Sequence, residues 1–423
     1  MVTTAEVHLW EHHVGTVFWD EARQVASFEY EPSFLITGLK VAPIMMPLTD
    51  EIYSFPSLPQ RTFMGLPGML AEALPDAFGR ALLDSWLAAQ GRQDANPVER
   101  LCFQGQRSMG ALEFIPSKER ILNFQQAIEV GSLVEAAREA LHNKESFVTN
   151  ISKSDEALLD IIRVGTSAGG QRAKAVIAYN DATGEVRSGQ TTAPEGFDYW
   201  LIKLDGVTNK ELGDPMHFGE IEYVHYLLAK EAGINMTECR LYREHDRAHF
   251  MTRRFDRVDG QKLHMQTLCG IAHYDFNMLH TYSYELAFGI MRRLRLTYPE
   301  AEEFYRRMVF NVVARNQDDH TKNISFLMNR KGEWRLSPAY DMSWAYNPNG
   351  GWTATHQMSI NGKWDNITRE DLLTLASEMN VKGAKKIIDQ VVEAVSQWPR
   401  LAQEHSDIPQ STIEAIEKTH VYL

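Results

Sequence analysis

The alternation of apolar and polar positions predicts short strands around a helix in the first 115 residues. The stretches HLWEHHVGTVFWD, VASFEYEPSFL and MGALEFIP are rich in aromatic and β-branched residues, which is typical of strands. Between the second and third of these, Gly91 follows a helical pattern as a C-terminal cap. The apolar residues of that pattern are Leu74, Phe78, Leu82, Leu83 and Trp86.

The middle of the chain changes repeatedly between helix and strand patterns. Helical periodicity is seen in FQQAIEVGSLVEAAREALHN, SKSDEALLDIIRVG and FGEIEYVHYLLAKEAGI. Strands are predicted in the part of GTSAGGQRAKAVIAYND that follows its glycines, and in DYWLIKLD, TECRLYRE and AHFMTRRFDRVDG. Beyond about residue 265 the pattern is mainly helical, interrupted by the polar stretch NQDDHTKN and by a predicted hairpin, ISFLMNRKGEWRLS, with turn residues from Asn329 to Gly332.

Length and composition narrow the class of protein. A chain of 423 residues is long enough for two or three domains, and 44% hydrophobic with 23% charged residues is typical of globular proteins. The formal net charge of −13 argues against binding of nucleic acid by overall charge alone. Cys102, Cys239 and Cys269 form no CxxC pair, which favours a reducing compartment. With no secretory signal and no apolar run of ~20 residues, we expect a cytoplasmic protein with no membrane segment.

The stretch NQDDHTKN carries the clearest candidate chemistry. Four residues separate Asp318 from Asn323, which is the spacing of the proton-accepting Asp and the metal-binding Asn in the catalytic loop of protein kinases. An Asp can orient an attacking hydroxyl and accept its proton, while an Asn amide oxygen can coordinate magnesium. His320 and Lys322 would hold the loop or neutralise phosphate. Taken alone, the octapeptide is more typical of a hydrophilic turn, and only the surrounding motifs in their order favour the catalytic interpretation.

Asp341 is the second candidate ligand for magnesium. It lies 18 residues beyond Asn323, after the predicted hairpin, where a kinase places the Asp of its DFG motif. Magnesium prefers hard oxygen ligands of this kind. The chain has YDM in place of DFG, and a lone Asp is also common as a helix cap or turn residue.

Lys203 is the candidate contact to phosphate. It ends the apolar strand YWLIKLD, and a lysine in such a strand needs a negative partner or an edge position open to solvent. In kinases the corresponding strand lysine binds the α- and β-phosphates. Its carboxylate partner would come from the next helix, where Glu220 and Glu222 are both candidates and Glu222 is preferred.

Two further segments would complete a nucleotide site. The glycine-rich loop GTSAGGQRAKA can bring backbone N–H groups close to phosphate. It matches neither G-x-x-x-x-G-K-[ST] nor G-x-G-x-x-G, and taken alone it is more typical of a plain surface hairpin. The stretch TRRFDR would connect two lobes and present backbone groups to adenine, and a charged hairpin edge is the alternative. The candidate loop residues are Ala168, Gly169, Gly170, Gln171 and Arg172, with Thr166 and Ser167 as phosphoacceptors, and the candidate hinge residues are Arg253, Arg254 and Phe255.

In this order the motifs resemble those of the HipA-type serine/threonine kinase toxins of bacterial toxin–antitoxin systems. The segments GTSAGGQRAK, WLIKL, GEIEYVHYLLAKEAGI, RRFDR, DDHTKN and PAYDM carry the resemblance, and LPDAFGRALLD and RSMGALEF extend it to the N-terminal region. The resemblance implies an α+β protein, in which a small α/β N-terminal subdomain (1–120) precedes a two-lobed protein-kinase-like core. That core would consist of connecting helices and an N-lobe (121–263) and a mainly helical C-lobe (264–423).

The resemblance also implies roles, cofactors and partners. ATP and Mg²⁺ would be the cofactors, with Asp318 as proton acceptor and Asn323 and Asp341 as metal ligands. In the family a loop serine is autophosphorylated and switches the enzyme off. The position most similar to it here is Thr166, next to Ser167. A small helix-turn-helix antitoxin (HipB-like) would neutralise the protein and supply most contacts to operator DNA.

The sequence leaves alternatives open for the substrate, for the role of one lysine cluster and for the class of protein. A known target of the family is an aminoacyl-tRNA synthetase. The resemblance implies such an enzyme as one candidate substrate of this chain. Lys382, Lys385 and Lys386 are either DNA-phosphate contacts or a solvated helix face. A small-molecule kinase of the aminoglycoside or choline type would share the Asp, Asn and Asp pattern. A catalytically silent corepressor is the alternative outside the enzymes.

Overall fold

The computed structural model describes residues 2–92, 94–117, 127–142, 172–190, 192–207 and 217–423. The predicted helix SKSDEALLDIIRVG lies outside the described residues. So do the predicted phosphoacceptors and all but the last of the predicted nucleotide-loop residues, namely Thr166, Ser167, Ala168, Gly169, Gly170 and Gln171.

An antiparallel sheet of five strands forms the N-terminal region, in the order β4-β3-β2-β1-β5. Residues alternate between buried and exposed along β1, so one face packs onto a core and the other faces solvent. The prediction of strand for EPSFL was wrong, because Pro32 begins a short helix there. The strands are β1 (Thr4–Leu9), β2 (His12–Asp20), β3 (Val25–Tyr30), β4 (Ile52–Ser54) and β5 (Leu112–Ile115).

The helices of this region do not all pack on its own sheet. The predicted central helix, α4, is confirmed, and the Asp76 carboxylate caps it by accepting from the Gly79 backbone N–H at 2.7 Å. Phe78 and Trp86 of this helix join the core of the following sheet, so packing crosses the boundary expected near residue 120. The helices are α1 (Pro32–Leu35), α2 (Gln60–Phe63), α3 (Gly68–Ala71), α4 (Ala77–Ala89) and α5 (Pro97–Gln104).

A second antiparallel sheet follows, in the order β7-β6-β8-β10-β9. In its register Lys174 of β6 lies directly opposite Lys203 of β8, so both lysine side chains are on the same face. Helix α7 packs against β10, and its residues Val224 and Leu228 belong to the core of the C-terminal region. The elements are α6 (Val130–His142), β6 (Lys174–Tyr179), β7 (Val186–Ser188), β8 (Asp198–Lys203), α7 (Phe218–Glu231), β9 (Cys239–Glu244) and β10 (Arg247–Arg253).

The C-terminal region is mainly helical, as predicted. The predicted hairpin is confirmed as β15 and β16, with Gly332 at φ +79° in its turn. Short strands are β11 (Arg257–Val258), β12 (Gln261–Lys262), β13 (His264–Thr267), β14 (Tyr282–Ser283), β15 (Ser325–Met328), β16 (Trp334–Leu336) and β17 (Met358–Ser359). Helices are α8 (Leu268–Ala272), α9 (Tyr284–Arg293), α10 (Tyr298–Val313), α11 (Arg369–Met379), α12 (Ala384–Val395), α13 (Trp398–His405) and α14 (Gln410–Glu417). Within the described ranges, none of the helices has both the length and the apolar character to span a bilayer.

Candidate active site

Lys203 is the centre of an ion cluster drawn from three separate elements. At the end of β8, its Nζ donates to Glu222 Oε1 of α7 at 2.6 Å and to Asp341 Oδ1 at 2.5 Å. Glu220, the alternative partner, instead accepts from Arg243 at 3.1 Å and lies 2.6 Å from the His217 ring. The structure therefore brings together the lysine, the preferred glutamate and the second predicted metal ligand.

The charges in this cluster perturb one another. Burial lowers the pKa of Lys203, but Asp341 and Glu222 raise it by more, so the amine stays protonated. Burial raises the pKa of Asp341, but Lys203 and Lys174 outweigh that effect and lower it below its ordinary value. Glu222 behaves differently, since burial raises its pKa more than Lys203 lowers it. Asp341 is thus held as an ionised oxygen donor.

The segment around Asp341 is tied to the loop that contains Asp318. Asp341 adopts φ +52°, a left-handed conformation that costs a residue other than glycine on the order of 1–3 kcal/mol. The Asn316 side chain donates to the Asp341 carbonyl oxygen at 3.2 Å, and the Tyr340 hydroxyl donates to the Lys322 carbonyl oxygen at 2.6 Å. These bonds hold the two segments side by side.

Asp318 and Asn323 are joined within their own loop. The Asn323 amide nitrogen donates to the Asp318 carbonyl oxygen at 2.8 Å, and the amide oxygen is the acceptor end of that side chain. The Trp352 indole N–H donates to Asp318 Oδ1 at 2.6 Å. Burial raises the pKa of Asp318, while His320 and Trp352 partly offset that effect. The carboxyl is therefore easier to protonate than a surface Asp.

Asp319, next to Asp318, has a structural role in the same loop. Its buried carboxylate accepts from the Tyr284 hydroxyl at 2.8 Å and from the Gln357 backbone N–H at 2.8 Å, and it lies 2.9 Å from His356 Nδ1. Three partners satisfy most of the acceptor capacity of a carboxylate. Asp319 anchors the loop to α9 and to the segment before β17, which orients the neighbouring Asp318.

His320 and Lys322 both contact Phe276. The Lys322 amine lies 4.6 Å from the centre of that ring, and the His320 ring lies 5.3 Å from it. His320 Nε2 is also 3.8 Å from Asp318 Oδ1. Both side chains therefore support the loop through aromatic packing, and His320 is also close to Asp318.

Arg172, the described member of the predicted nucleotide loop, reaches this cluster. Its guanidinium lies 3.8 Å above the Phe218 ring at the start of α7. Burial lowers its pKa, and the nearby carboxylates of Glu222, Asp341 and Asp318 act in the opposite direction. Arg172 thus faces the acidic side of the site.

The predicted hinge residues are placed differently from one another. Arg253 is exposed and pairs with Asp198, whereas the Arg254 guanidinium is buried against Asp256, so neither side chain is free. Their backbone N–H groups donate to the carbonyl oxygens of Glu238 and Tyr199, at 2.9 Å in each case. The Phe255 ring, by contrast, lies 5.7 Å from the Tyr340 ring, beside the Asp341 segment.

Sequence reasoning missed three polar groups around the site. Trp352 is alone in a polar loop, and no spacing relates it to Asp318. The position of Lys174 beside the site follows only from the strand register, which places it opposite Lys203. Its amine lies 3.5 Å from Asp76 Oδ2. Asn316 lies in the polar stretch NQDDHTKN, but no spacing relates it to the Asp341 carbonyl oxygen to which it donates.

The fold and the site together define a kinase-like architecture preceded by a small N-terminal subdomain. Models of two families match the chain, the HipA-like C-terminal domain over residues 166–398 and the HipA N-terminal domain over residues 5–115. The chain therefore belongs to the HipA family, as the sequence resemblance predicted.

Individual relatives are more distant. A HipA, HipB and operator DNA complex of the toxin–antitoxin system of Shewanella oneidensis MR-1 contains a chain with 16% identity, a TM-score of 0.66 and coverage of 98% of this chain and 95% of that one. Its likeness concerns the fold. The Helicobacter pylori proinflammatory kinase CtkA gives a TM-score of 0.34 at 12% identity, covering 53% of this chain and 88% of its own.

Among curated proteins, Y4dM of Sinorhizobium fredii (strain NBRC 101917 / NGR234), whose name assigns it provisionally to the kinases, is 25% identical over 217 residues. This match covers 47% of the chain and about half (50%) of the length of that relative.

Proposed function

We propose that this protein is an ATP- and Mg²⁺-dependent serine/threonine-protein kinase that acts as the toxin of a toxin–antitoxin pair. The observation that carries the proposal is the contact of one half-buried lysine, Lys203, with both Glu222 and Asp341. This arrangement pairs a strand lysine with a helix glutamate and places a carboxylate beside them, as phosphoryl transfer requires. Membership of the HipA family supports the toxin role.

The donor set fits Mg²⁺. Asp341 offers an ionised carboxylate with one oxygen on Lys203, and Asn323 offers an amide oxygen because its nitrogen is already engaged. Mg²⁺ would supply neutralisation of the phosphate charge in this site. Lys203 and Arg172 hold positive charge for the phosphates. Phe255, whose ring lies beside the Asp341 segment, borders the adenine position, whereas the backbone N–H groups of Arg253 and Arg254 are already engaged within the protein.

Asp318 is the proposed proton acceptor. Its raised pKa brings a carboxyl closer to the working pH, where a general base is most effective. The Trp352 N–H and the anchored neighbour Asp319 keep the carboxylate in one orientation. His320 and Lys322 support the loop, and the Lys322 amine adds positive charge near the transferred group.

Regulation and partners are proposed from the family. Autophosphorylation on Thr166 or Ser167 would displace the nucleotide loop and switch the enzyme off. A HipB-like helix-turn-helix antitoxin would bind the protein and carry it to operator DNA, in line with the partners named for the Shewanella complex. The protein substrate would be a translation factor such as an aminoacyl-tRNA synthetase.

Transfer of label from γ-labelled ATP tests the proposal. Purified protein is incubated with Mg²⁺ and ATP, alone and with a bacterial lysate, and labelled peptides are identified by mass spectrometry. We expect label on Thr166, Ser167 or a discrete lysate protein, and loss of that label in Asp341→Asn. Asp389→Asn, which removes an exposed carboxylate paired with Arg369, serves as the matched control and keeps activity. Label found only on small molecules would favour the aminoglycoside or choline type of kinase instead.

A further inference from the structure

Two histidines and a glutamate converge on the solvent face of the N-terminal sheet, in a part of the chain that the proposed kinase reaction does not use. In the ladder of β1 and β2, His8 lies directly opposite His13. Glu6 precedes His8 by two residues and therefore points to the same face, because side chains alternate along a strand. One ligand atom from each of the three side chains lies within 4.8 Å of the others.

The His13 ring is set in the orientation that a metal ligand needs. Its Nε2 lies 3.0 Å from the Gly15 carbonyl oxygen, an acceptor, so Nε2 carries the proton. In the neutral ring this leaves the lone pair of Nδ1 free. Histidines that bind metals commonly donate their second N–H to a carbonyl oxygen in this way. Nδ1 faces the Glu31 carboxylate at 3.6 Å, which adds a further oxygen donor beside the group.

His8 completes the pair of imidazoles. Its ring stacks on that of His13 with centroids 5.0 Å apart and planes 18° apart, and its Nε2 lies 2.9 Å from Glu6 Oε2. A surface ion pair between His8 and Glu6 contributes only about 0–1 kcal/mol and does not require a second imidazole.

The chemistry of the donors selects the ion. Two imidazole nitrogens and a carboxylate oxygen are ligands typical of Zn²⁺, whereas Mg²⁺ and Ca²⁺ prefer oxygen donors. The three side chains are 23% (His8), 51% (Glu6) and 29% (His13) exposed, so water can reach the ion and complete its coordination. We propose that Glu6, His8 and His13 form a site for a divalent transition-metal ion, best matched to Zn²⁺, that joins β1 to β2.

Titration of tag-free protein with Zn²⁺ tests the site. Isothermal titration calorimetry is expected to show one ion per chain, and Co²⁺ as a probe is expected to give the visible absorption of a nitrogen- and oxygen-ligated centre. Loss of a residue that only supports a metal ligand weakens metal binding by about 10- to 100-fold. Because His8 and His13 are proposed as ligands themselves, His8→Ala and His13→Ala should each weaken Zn²⁺ binding by at least that factor. Excess Mg²⁺ should not displace the ion.

His12→Ala is the matched control, because this neighbouring histidine packs edge-on against Phe34 instead of joining the group. It should keep the affinity for Zn²⁺. The melting temperature provides a second measurement, with Zn²⁺ expected to raise it in the wild type and in His12→Ala but not in His13→Ala. Absence of stoichiometric binding in the wild type, or equal binding in His8→Ala, His13→Ala and the wild type, would overturn the proposal.

Discussion

Replacing Asp256 with Ala is expected to destabilise the protein severely, because this buried carboxylate connects the hinge segment to Gly110 of the N-terminal region. It accepts from Arg254 Nε at 2.9 Å and Nη2 at 2.7 Å, from Arg257 Nη1 at 2.8 Å and from the Gly110 backbone N–H at 2.7 Å. The side chains of Asp256 and Arg254 are each only 1% exposed. The bonds join the hinge to the N-terminal region, so the substitution would loosen that connection.

The magnitude follows from the groups left without a partner. Removing one member of a buried ion pair costs about 3–5 kcal/mol, and a buried N–H left unsatisfied costs about 1–3 kcal/mol. These contributions overlap, so we expect a loss on the order of 5 kcal/mol in the free energy of unfolding. Because whole proteins are stable by only about 5–15 kcal/mol, this loss removes a large part of the total.

Urea denaturation followed by tryptophan fluorescence measures the effect. The control is Asp198→Ala, which removes the carboxylate partner of Arg253, an exposed residue of the hinge segment. This substitution should lower the free energy of unfolding by no more than about 1 kcal/mol. Asp256→Asn, which keeps the shape but removes the charge, should fall between the two. If Asp256→Ala were as stable as Asp198→Ala, the buried cluster would not have the structural role assigned to it.

Two further substitutions test the site. Trp352→Phe removes an N–H donor from Asp318 and so raises the pKa of that carboxyl further. Since the base acts when ionised, the acidic limb of the pH profile of kcat should move to higher pH, and an unchanged profile would contradict the role. Gly219→Ala places a Cβ 2.3 Å from the Ala248 carbonyl oxygen, which should shift Glu222 and lower kcat/KM for ATP by about 10- to 100-fold. Unaltered ATP kinetics in this variant would refute that coupling.

The parts of the fold that were predictable depend on local chemistry. The hairpin from Ser325 to Leu336 follows from its turn residues, and α4 follows from periodic apolar positions and a capping glycine. The end of β3 was missed because a proline two residues later begins a helix. The packing of α4 on the second sheet depends on contacts between distant parts of the chain, which periodicity does not encode.

The candidate site likewise has residues that were predictable from the sequence and residues that were not. The spacing of Asp318 and Asn323 is local and was visible in the sequence, and the order of motifs placed Lys203 and Asp341 among the candidates although they are 138 residues apart. The contact of Trp352 with Asp318 depends on how a polar loop folds back, and no residue pattern carries that information. Nor does a pattern distinguish Asp319, a structural anchor, from its neighbour.

Asp318→Asn gives the most direct test of the central claim, if phosphoryl transfer and nucleotide binding are measured on the same preparation. Single-turnover transfer from γ-labelled ATP gives the first quantity, and calorimetric titration with ATP and Mg²⁺ gives the second. We predict that transfer falls by about 10²- to 10⁴-fold, as expected for loss of a general base, while ATP affinity is retained. Undiminished transfer, or loss of ATP binding with an intact fold, would contradict Asp318 as the proton acceptor.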